Sequence, residues 1–337
     1  MEEIASRYNC FLFTMKDQNR SGQIPFLKKI LLVFAAFSLL GGGLLFLSVL
    51  DKPDAGSREP SAWEIASGWE KLARGRKGKV IFASPPRLLV LNLGNGEKKE
   101  LPGIVVAGGK GRNARGKSPC PFWAPNGGKF LYRFAGHVYV GDEQGHKAIV
   151  ADPRMDMGDE ASWSWLTAFG KDWAVGPALN GDMIAVNPAD PGASWIVYYG
   201  KNIKKHCEIT GSGKFVVYDD GRSVYVARNG SSGPGMNISR GQSCRPCAAP
   251  DDRVAWLAQG HSGYRIHDAA GGRELASILA PPGEEIYRLN WSNDPDFAAH
   301  MYGSRGNERM HVRRVSNGGY LYIGNGWDPD LWLEPAR

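Results

Sequence analysis

A short pattern recurs along the chain at regular intervals, and it limits the fold more than any other feature of the sequence. In the stretch FWAPNGGKFLY, Phe122–Tyr132, aromatic residues are followed by a small-residue turn, a basic residue and an apolar strand that ends in an aromatic residue. Related segments start at Trp165 and Trp291 and occupy Thr210–Tyr218. Because a unit this short cannot bury its faces alone, consecutive copies are expected to stack on one another.

The basic residue of the pattern sets the spacing of the repeat. The basic positions lie about 40 to 50 residues apart, and a sixth unit lies near Phe297. These positions are Lys79, Lys129, Lys171, Lys214 and Arg253. Most units also contain a second short strand followed by a turn rich in Gly and Asn or Asp. This arrangement predicts an all-β fold, a six-bladed β-propeller with radial four-stranded sheets.

The sequence leaves open which segment closes the predicted ring. One alternative is the DLWLEP stretch near the C-terminus. The other is the stretch Trp63–Trp69, which precedes the first unit. Either segment would supply the strand that completes the first blade.

The clearest copy of the repeat also resembles a known signature. WAPNGGKFLY resembles the W-S-P-D-G-K-x-I-A-Y motif of TolB-like, WD40-like propeller repeats, and APDDRVAW and WSNDPDFAAHM are weaker copies. The resemblance extends from Trp69 to about Gly326 in six units. It implies six blades, a location outside the cytoplasmic membrane and a role in binding other proteins.

One long apolar run precedes the repeat. The segment Ile30–Leu50 carries no charge, and as a helix it would extend about 30 Å, the thickness of a bilayer's hydrocarbon core. Asp51 follows this run where a cleavage site would need small residues, so we predict an uncleaved signal anchor, with a cleavable signal peptide as the alternative. Basic residues are concentrated before the span, which places the N-terminus in the cytoplasm.

These features predict four segments. Residues 1–29 form a cytoplasmic segment, 30–50 the transmembrane anchor, 51–61 a polar linker and 62–337 the propeller. The expected location is the inner (cytoplasmic) membrane, crossed once, with the propeller in the periplasm or outside the cell. The lipid bilayer is therefore one predicted partner, and a protein or polymer of the cell envelope is the other.

A phosphate-loop pattern in the sequence lacks the structural context that phosphate binding needs. GRNARGKS, residues 111–118, matches G-x-x-x-x-G-K-S, but Pro119 and Pro121 oppose the helix that must follow. We therefore expect no nucleotide. The formal net charge of +7 is mild, and no basic stripe is interleaved with aromatic residues, so nucleic acid is not expected either.

The same loop carries four positive charges. We define Lys110, Arg112, Arg115 and Lys117 as the basic rim, a candidate docking surface for anionic lipid headgroups, glycan or an acidic protein. The alternative is a solvated loop between blades, because charge runs are commonly solvated.

The cysteines predict a structural disulfide. In an exported domain, Cys244 and Cys247 of the CRPC stretch are expected to pair, or Cys207 to pair with one of them. A redox site would need a helix after the first thiol, but a strand pattern follows. A zinc site that adds His206 is disfavoured because its ligands would come from different blades. No metal or cofactor is expected.

The sequence contains no catalytic signature such as G-x-S-x-G or H-E-x-x-H. Several carboxylates lie near predicted turns, but no spacing singles out a pair; they are Asp156, Asp159, Glu160, Asp219, Asp220, Asp294 and Asp296. We therefore expect a non-catalytic binding or scaffold module. The alternative is a glycan-active hydrolase or lyase with carboxylates in the central channel, which two or three clustered carboxylates there would favour.

Overall fold

The computed structural model describes residues 58–106, 119–156, 161–200, 203, 206–239, 244–304 and 307–335. The predicted anchor, Ile30–Leu50, and the basic rim lie outside these residues. In the described part of the chain, no helix is both long and apolar enough to cross a membrane. Residues Arg58–Arg337 form one compact unit.

The described residues form 24 strands in six antiparallel four-stranded sheets, which confirms the predicted six-bladed propeller. Blade 1 contains β1 (Gly78–Ser84), β2 (Arg87–Asn92), β3 (Lys98–Val105) and β24 (Trp327–Leu333). Blade 2 contains β4 (Phe122–Trp123), β5 (Phe130–Phe134), β6 (His137–Gly141) and β7 (Lys147–Val150). Blade 3 contains β8 (Ser164–Ala168), β9 (Lys171–Pro177), β10 (Met183–Asn187) and β11 (Asp190–Tyr198).

The other three blades follow the same plan. Blade 4 contains β12 (Cys207–Ile209), β13 (Phe215–Asp219), β14 (Val224–Arg228) and β15 (Met236–Asn237). Blade 5 contains β16 (Cys244–Ala248), β17 (Arg253–Leu257), β18 (Gly263–Asp268) and β19 (Glu274–Leu279). Blade 6 contains β20 (Glu285–Trp291), β21 (Phe297–Ser304), β22 (Asn307–Arg314) and β23 (Tyr320–Asn325).

The hydrophobic core is divided among the interfaces between neighbouring blades. Six clusters of buried apolar residues are present in the described chain, and each joins two adjacent blades. In the cluster between blades 1 and 2, for example, Ile81 packs with Phe130 and Tyr132. Stacking around the axis therefore buries both faces of every blade, as the repeat predicts.

The innermost strands contact one another in a closed ring, in the order β4, β8, β12, β16, β20, β24 and back to β4. The C-terminal strand β24 closes blade 1 by pairing with β1, from Gly78 opposite Leu333 to Ala83 opposite Trp327. This confirms the C-terminal alternative for ring closure. Leu331 and Leu333 of β24 are almost fully buried, which fixes the strand in the core.

The other proposed closing segment is a helix, α1 (Ala62–Ala73), so that alternative is wrong. A capping box begins the helix: the Glu64 amide donates to Ser61 Oγ, and the Ser61 amide donates to Glu64 Oε2. Ile65, Trp69 and Ala73 recur every four residues and form one buried face. That face packs into the cluster between blades 6 and 1.

Blade 6 contains a buried histidine pair that should make stability depend on pH. His300 and His311 lie opposite each other on β21 and β22, and their ring centroids are 5.5 Å apart. Burial lowers the pKa of His300 well below its usual range and that of His311 to about 3. Both rings are therefore neutral in the native protein at neutral pH, whereas an unfolded histidine gains its proton near pH 6.5.

The free energy of unfolding should therefore fall as the pH drops below about 6.5, by roughly 1.4 kcal/mol per pH unit for each histidine. This contribution is fully present above pH 6.5, because both states are then neutral. Urea unfolding between pH 7 and pH 4.5 measures it. His300→Phe should reduce the change in the free energy of unfolding by about 1.4 kcal/mol per pH unit, the contribution of one proton. His137→Gln, a change at an exposed histidine, should leave that pH dependence unchanged. An unchanged slope in His300→Phe would contradict the assignment.

Candidate functional site

A cavity of about 310 Å³ lies at the centre of the ring, where the innermost strands end. Each of the six blades contributes to its wall. We call this cavity the channel mouth and define it by one residue from each blade: Asp330, Trp123, Trp165, Glu208, Ala249 and Trp291, in the order of blades 1 to 6. It exists only when the ring is closed, because its wall is divided among all the blades.

Tryptophans of the repeat join neighbouring blades at this site. Trp165 Nε1 of blade 3 donates to the Phe122 carbonyl of blade 2 at 2.9 Å, and Trp332 Nε1 of blade 1 donates to the Pro125 carbonyl at 3.0 Å. Trp123 and Trp291 also belong to interblade clusters. Trp123, Trp165 and Trp291 therefore pack between neighbouring blades.

Asp330 brings a buried carboxyl to the channel mouth. The side chain is only 1% exposed, and the Trp123 amide donates to Oδ2 at 2.7 Å. Its other oxygen, Oδ1, has no hydrogen-bond partner among the described residues. Burial raises the pKa of Asp330 well above its usual range, and the nearby Glu208 raises it further. An approaching cation would oppose that rise by stabilising the carboxylate.

Glu208 is the second carboxyl in the cavity wall. The Ala248 amide of the next blade donates to Oε2 at 2.8 Å. Burial raises the pKa of Glu208 to about 7, although the Ala248 hydrogen bond and the positive charge of Arg288 act in the opposite direction. This carboxyl can therefore gain or lose a proton near neutral pH.

Arg288 lies deeper in the channel. Its guanidinium donates from Nη1 to Cys120 Sγ at 2.8 Å and from Nε to Asn290 Oδ1 at 3.0 Å. Glu208 and Arg288 also line a second, much smaller cavity of about 10 Å³, together with His206. Because Glu208 borders both cavities, it lies between the channel mouth and the polar groups below it.

The sequence did not identify Glu208 or Asp330 as candidates. Of the carboxylates near predicted turns, Asp159 and Glu160 lie outside the described residues. Two others serve different contacts: Asp219 accepts from His206 Nδ1 at 2.8 Å, and Asp296 accepts from Arg314 Nε at 2.8 Å. A partial signal was the pattern WDPDLWL, in which acidic residues alternate with apolar ones and would share one face of a regular strand. A register shift between Asp330 and Trp327 and the positive φ of Asp328 interrupt that alternation, and of the two acids only Asp330 lines the cavity.

Two basic residues at the start of blade 1 do not line the channel mouth. Arg76 forms an ion pair with Asp294, and Lys79 forms one with Glu143, so these basic residues already have acidic partners. The basic rim itself lies outside the described residues. In the described part of the chain, no group of three or more His, Cys, Asp or Glu residues has the geometry of a metal site.

The predicted disulfide is not formed in this structure. Cys247 is a free thiol, is almost fully buried and packs in the cluster between blades 5 and 6. Burial raises the pKa of its thiol well above the usual value, and the charge of Glu208 acts in the same direction. The proposed Cys244–Cys247 pairing is therefore absent from this structure, in which Cys247 packs as a core residue. Cys207, the alternative partner, is likewise a buried free thiol.

Comparison with known structures supports the fold. TolB from Acinetobacter baumannii has a TM-score of 0.53 and 13% identity over 76% of this chain, which spans 66% of the length of that protein. A putative TolB from Agrobacterium tumefaciens has a TM-score of 0.53 and 12% identity, and 78% of this chain matches 100% of that one. A chain of the nidogen/laminin complex matches with a TM-score of 0.53 and 7% identity, over 76% of this chain and 98% of that one.

No protein-family model and no curated protein matches the sequence. At these identities, the structural matches establish a six-bladed propeller similar to TolB structures. They do not carry a partner or an activity over to this chain.

Proposed function

We propose that this protein is an exported, membrane-anchored propeller that acts as a non-catalytic binding module for a protein or polymer of the cell envelope, with the channel mouth as its binding site. The observation that carries the proposal is the channel mouth itself, a cavity whose wall includes residues of all six blades. Its volume lies within the range of natural ligand sites, and it combines aromatic walls with a few polar groups. The anchor rests on the apolar segment Ile30–Leu50 alone.

The alternative is a glycan-active hydrolase or lyase, and one observation favours it. Glu208 and Asp330 place two carboxyls in one cavity, and a carboxyl with a pKa near 7 suits a general acid or base. The binding module remains the preferred function because one oxygen of each carboxyl already accepts a backbone amide of the next blade. These contacts give both groups a structural role.

Site-specific photo-crosslinking in the native membrane tests the binding module. A photoreactive amino acid in place of Thr167, an exposed residue of the cavity wall, should capture a reproducible partner. The matched control replaces Ile149, which is 46% exposed on the outer strand β7, and should not capture it. Equal capture at both positions would place the interaction elsewhere on the surface.

Two further measurements test whether the basic rim takes part in binding and whether the protein is a glycan-active enzyme. Changing Lys110, Arg112, Arg115 and Lys117 to Glu should leave capture at Thr167 unchanged if the channel mouth alone binds the partner. Loss of capture would assign part of the binding to the rim. Depolymerisation of envelope glycan by the full-length protein, abolished in Glu208→Gln, would replace the binding module by the enzyme.

A further inference from the structure

We propose that the channel mouth receives a cationic group, the ammonium or guanidinium of a lysine or arginine side chain that the protein partner inserts along the axis. This inference rests on the proposed function and names the chemistry of the same site. Among the described residues that line the cavity, Glu208 and Asp330 are the only ones with ionisable side chains, and both are acidic.

The wall also contains buried polar atoms that lack a partner. Asp330 Oδ1 has none among the described residues, and the same is true of Ser164 Oγ, which belongs to a different blade and is 2% exposed. Both residues line the cavity. An unsatisfied buried acceptor costs about 1–3 kcal/mol, so a ligand that brings N–H donors to these oxygens would recover that free energy. An ammonium or guanidinium carries several donors on one group.

The aromatic residues of the wall are suited to a cation. In the native protein, Lys79 Nζ lies 4.2 Å from the centroid of the Trp123 ring and 4.9 Å from that of Trp332. Arg253 lies 5.0 Å from the centroid of the Trp291 ring. These contacts show tryptophans of the channel mouth accepting cations in the geometry of a cation–π interaction.

Arg288 lies beside Glu208 but outside the cavity wall, and its positive charge opposes, without reversing, the rise that burial causes in the pKa of Glu208 and of Asp330. The basic residues that contact the tryptophans of the wall have other acidic partners. Lys79 is paired with Glu143, and Arg253 is paired with Asp251, both of which are outside the cavity wall. A positively charged side chain entering the cavity would therefore meet two carboxyls without a basic residue in the wall to repel it.

Binding of a cation should be coupled to proton release. The ionisable groups that influence Glu208 or are influenced by it are Arg288 on β20, Asp330 on β24, and the buried thiols of Cys207 and Cys247. A bound cation stabilises the charged forms of Glu208 and Asp330, so their protons leave on binding. Affinity should therefore fall as the pH decreases from 7.5 to 5.5, because protonation and the cation compete for the same oxygens.

The test uses the full-length protein and a matched pair of peptides. Acetyl-Gly-Gly-Lys-Gly-Gly-amide is titrated calorimetrically in two buffers of different ionisation enthalpy, beside the same peptide with norleucine in place of lysine. The lysine peptide should bind at least about tenfold more tightly, with protons released to the buffer. Asp330→Asn and Glu208→Gln should each weaken binding about tenfold, whereas Asp190→Asn, which removes an exposed carboxyl outside the cavity wall, should not.

Three results would overturn the inference. They are equal binding of the two peptides, binding that is indifferent to both carboxyl variants, and no binding of the lysine peptide or its arginine counterpart at about 10 mM. If putrescine binds as tightly as the lysine peptide, the ligand of the site is a free amine, and the proposal that a protein partner supplies the cation is wrong. If crosslinking at Thr167 captures a partner but the lysine peptide does not bind, the proposed binding function is supported and the proposed cationic ligand is wrong.

Discussion

A chain that ends after Gly326 should lose cooperative unfolding and aggregate. Removing β24 leaves β1 without its inner partner and removes Leu331 and Leu333 from the cluster between blades 6 and 1. Losing one buried leucine side chain costs about 2–5 kcal/mol, and the total stability of a domain is typically about 5–15 kcal/mol. Two leucines and a row of backbone hydrogen bonds are therefore enough to remove the stable native state.

Urea unfolding followed by circular dichroism measures this effect. The matched control ends after Glu334, which keeps β24 and the hydrogen bond from the Glu334 amide to the Lys77 carbonyl at 3.0 Å. The free energy of unfolding of that chain should lie within about 0.5 kcal/mol of the value for the intact protein. A cooperative transition of near-normal stability in the shorter chain would mean that the ring does not depend on β24.

Ring closure and the candidate site depend on the same strand. Asp330 of β24 accepts the Trp123 amide of blade 2, and Asn293 of blade 6 exchanges two hydrogen bonds with the backbone of Leu333. The strand that completes the fold thus also supplies a carboxyl of the channel mouth. A ligand that contacts Asp330 would consequently stabilise the closed ring, because it binds only the folded state.

The fold could be predicted because its determinants are local and repeated. In the unit from Phe122 to Tyr132, the turn depends on Gly127, whose φ of +68° favours glycine, and on Asn126 Oδ1, which accepts the Gly128 amide at 2.9 Å. The end of an innermost strand, a turn and the start of the next strand thus appear as one short pattern. Repetition of that pattern is sufficient to predict the number of blades.

The candidate site could not be predicted because it is assembled from residues far apart in the chain. Glu208 and Asp330 lie in strands, and the sequence does not show which face of an innermost strand points to the axis. Asp219 and Asp296, which do lie near predicted turns, serve other contacts instead. Helix α1 is a different case. Its capping residues Ser61 and Glu64 and its short apolar face are local helix signals, which the prediction of a closing strand at Trp63–Trp69 did not include.

Trp69→Ala should destabilise the propeller by about 3–5 kcal/mol, as expected for a fully buried tryptophan. The side chain is 1% exposed, and its ring centroid lies 5.7 Å from that of Phe297 in blade 6. Its Nε1 donates to the Arg76 carbonyl at 2.6 Å, which anchors the chain between α1 and β1. The substitution would leave a cavity in the cluster that joins the first and last blades, where the ring closes.

Helix α1 offers a matched control for this change. Trp63 belongs to the same helix but is 76% exposed, so Trp63→Ala should change the free energy of unfolding by less than about 0.5 kcal/mol. Each variant lacks one tryptophan, which changes the fluorescence signal. Unfolding of both variants is therefore followed by circular dichroism, which reports on the backbone. If the two variants were equally stable, the helix would not contribute to the core. A large effect confined to Trp69→Ala would show that α1 holds blades 6 and 1 together beside the closing strand.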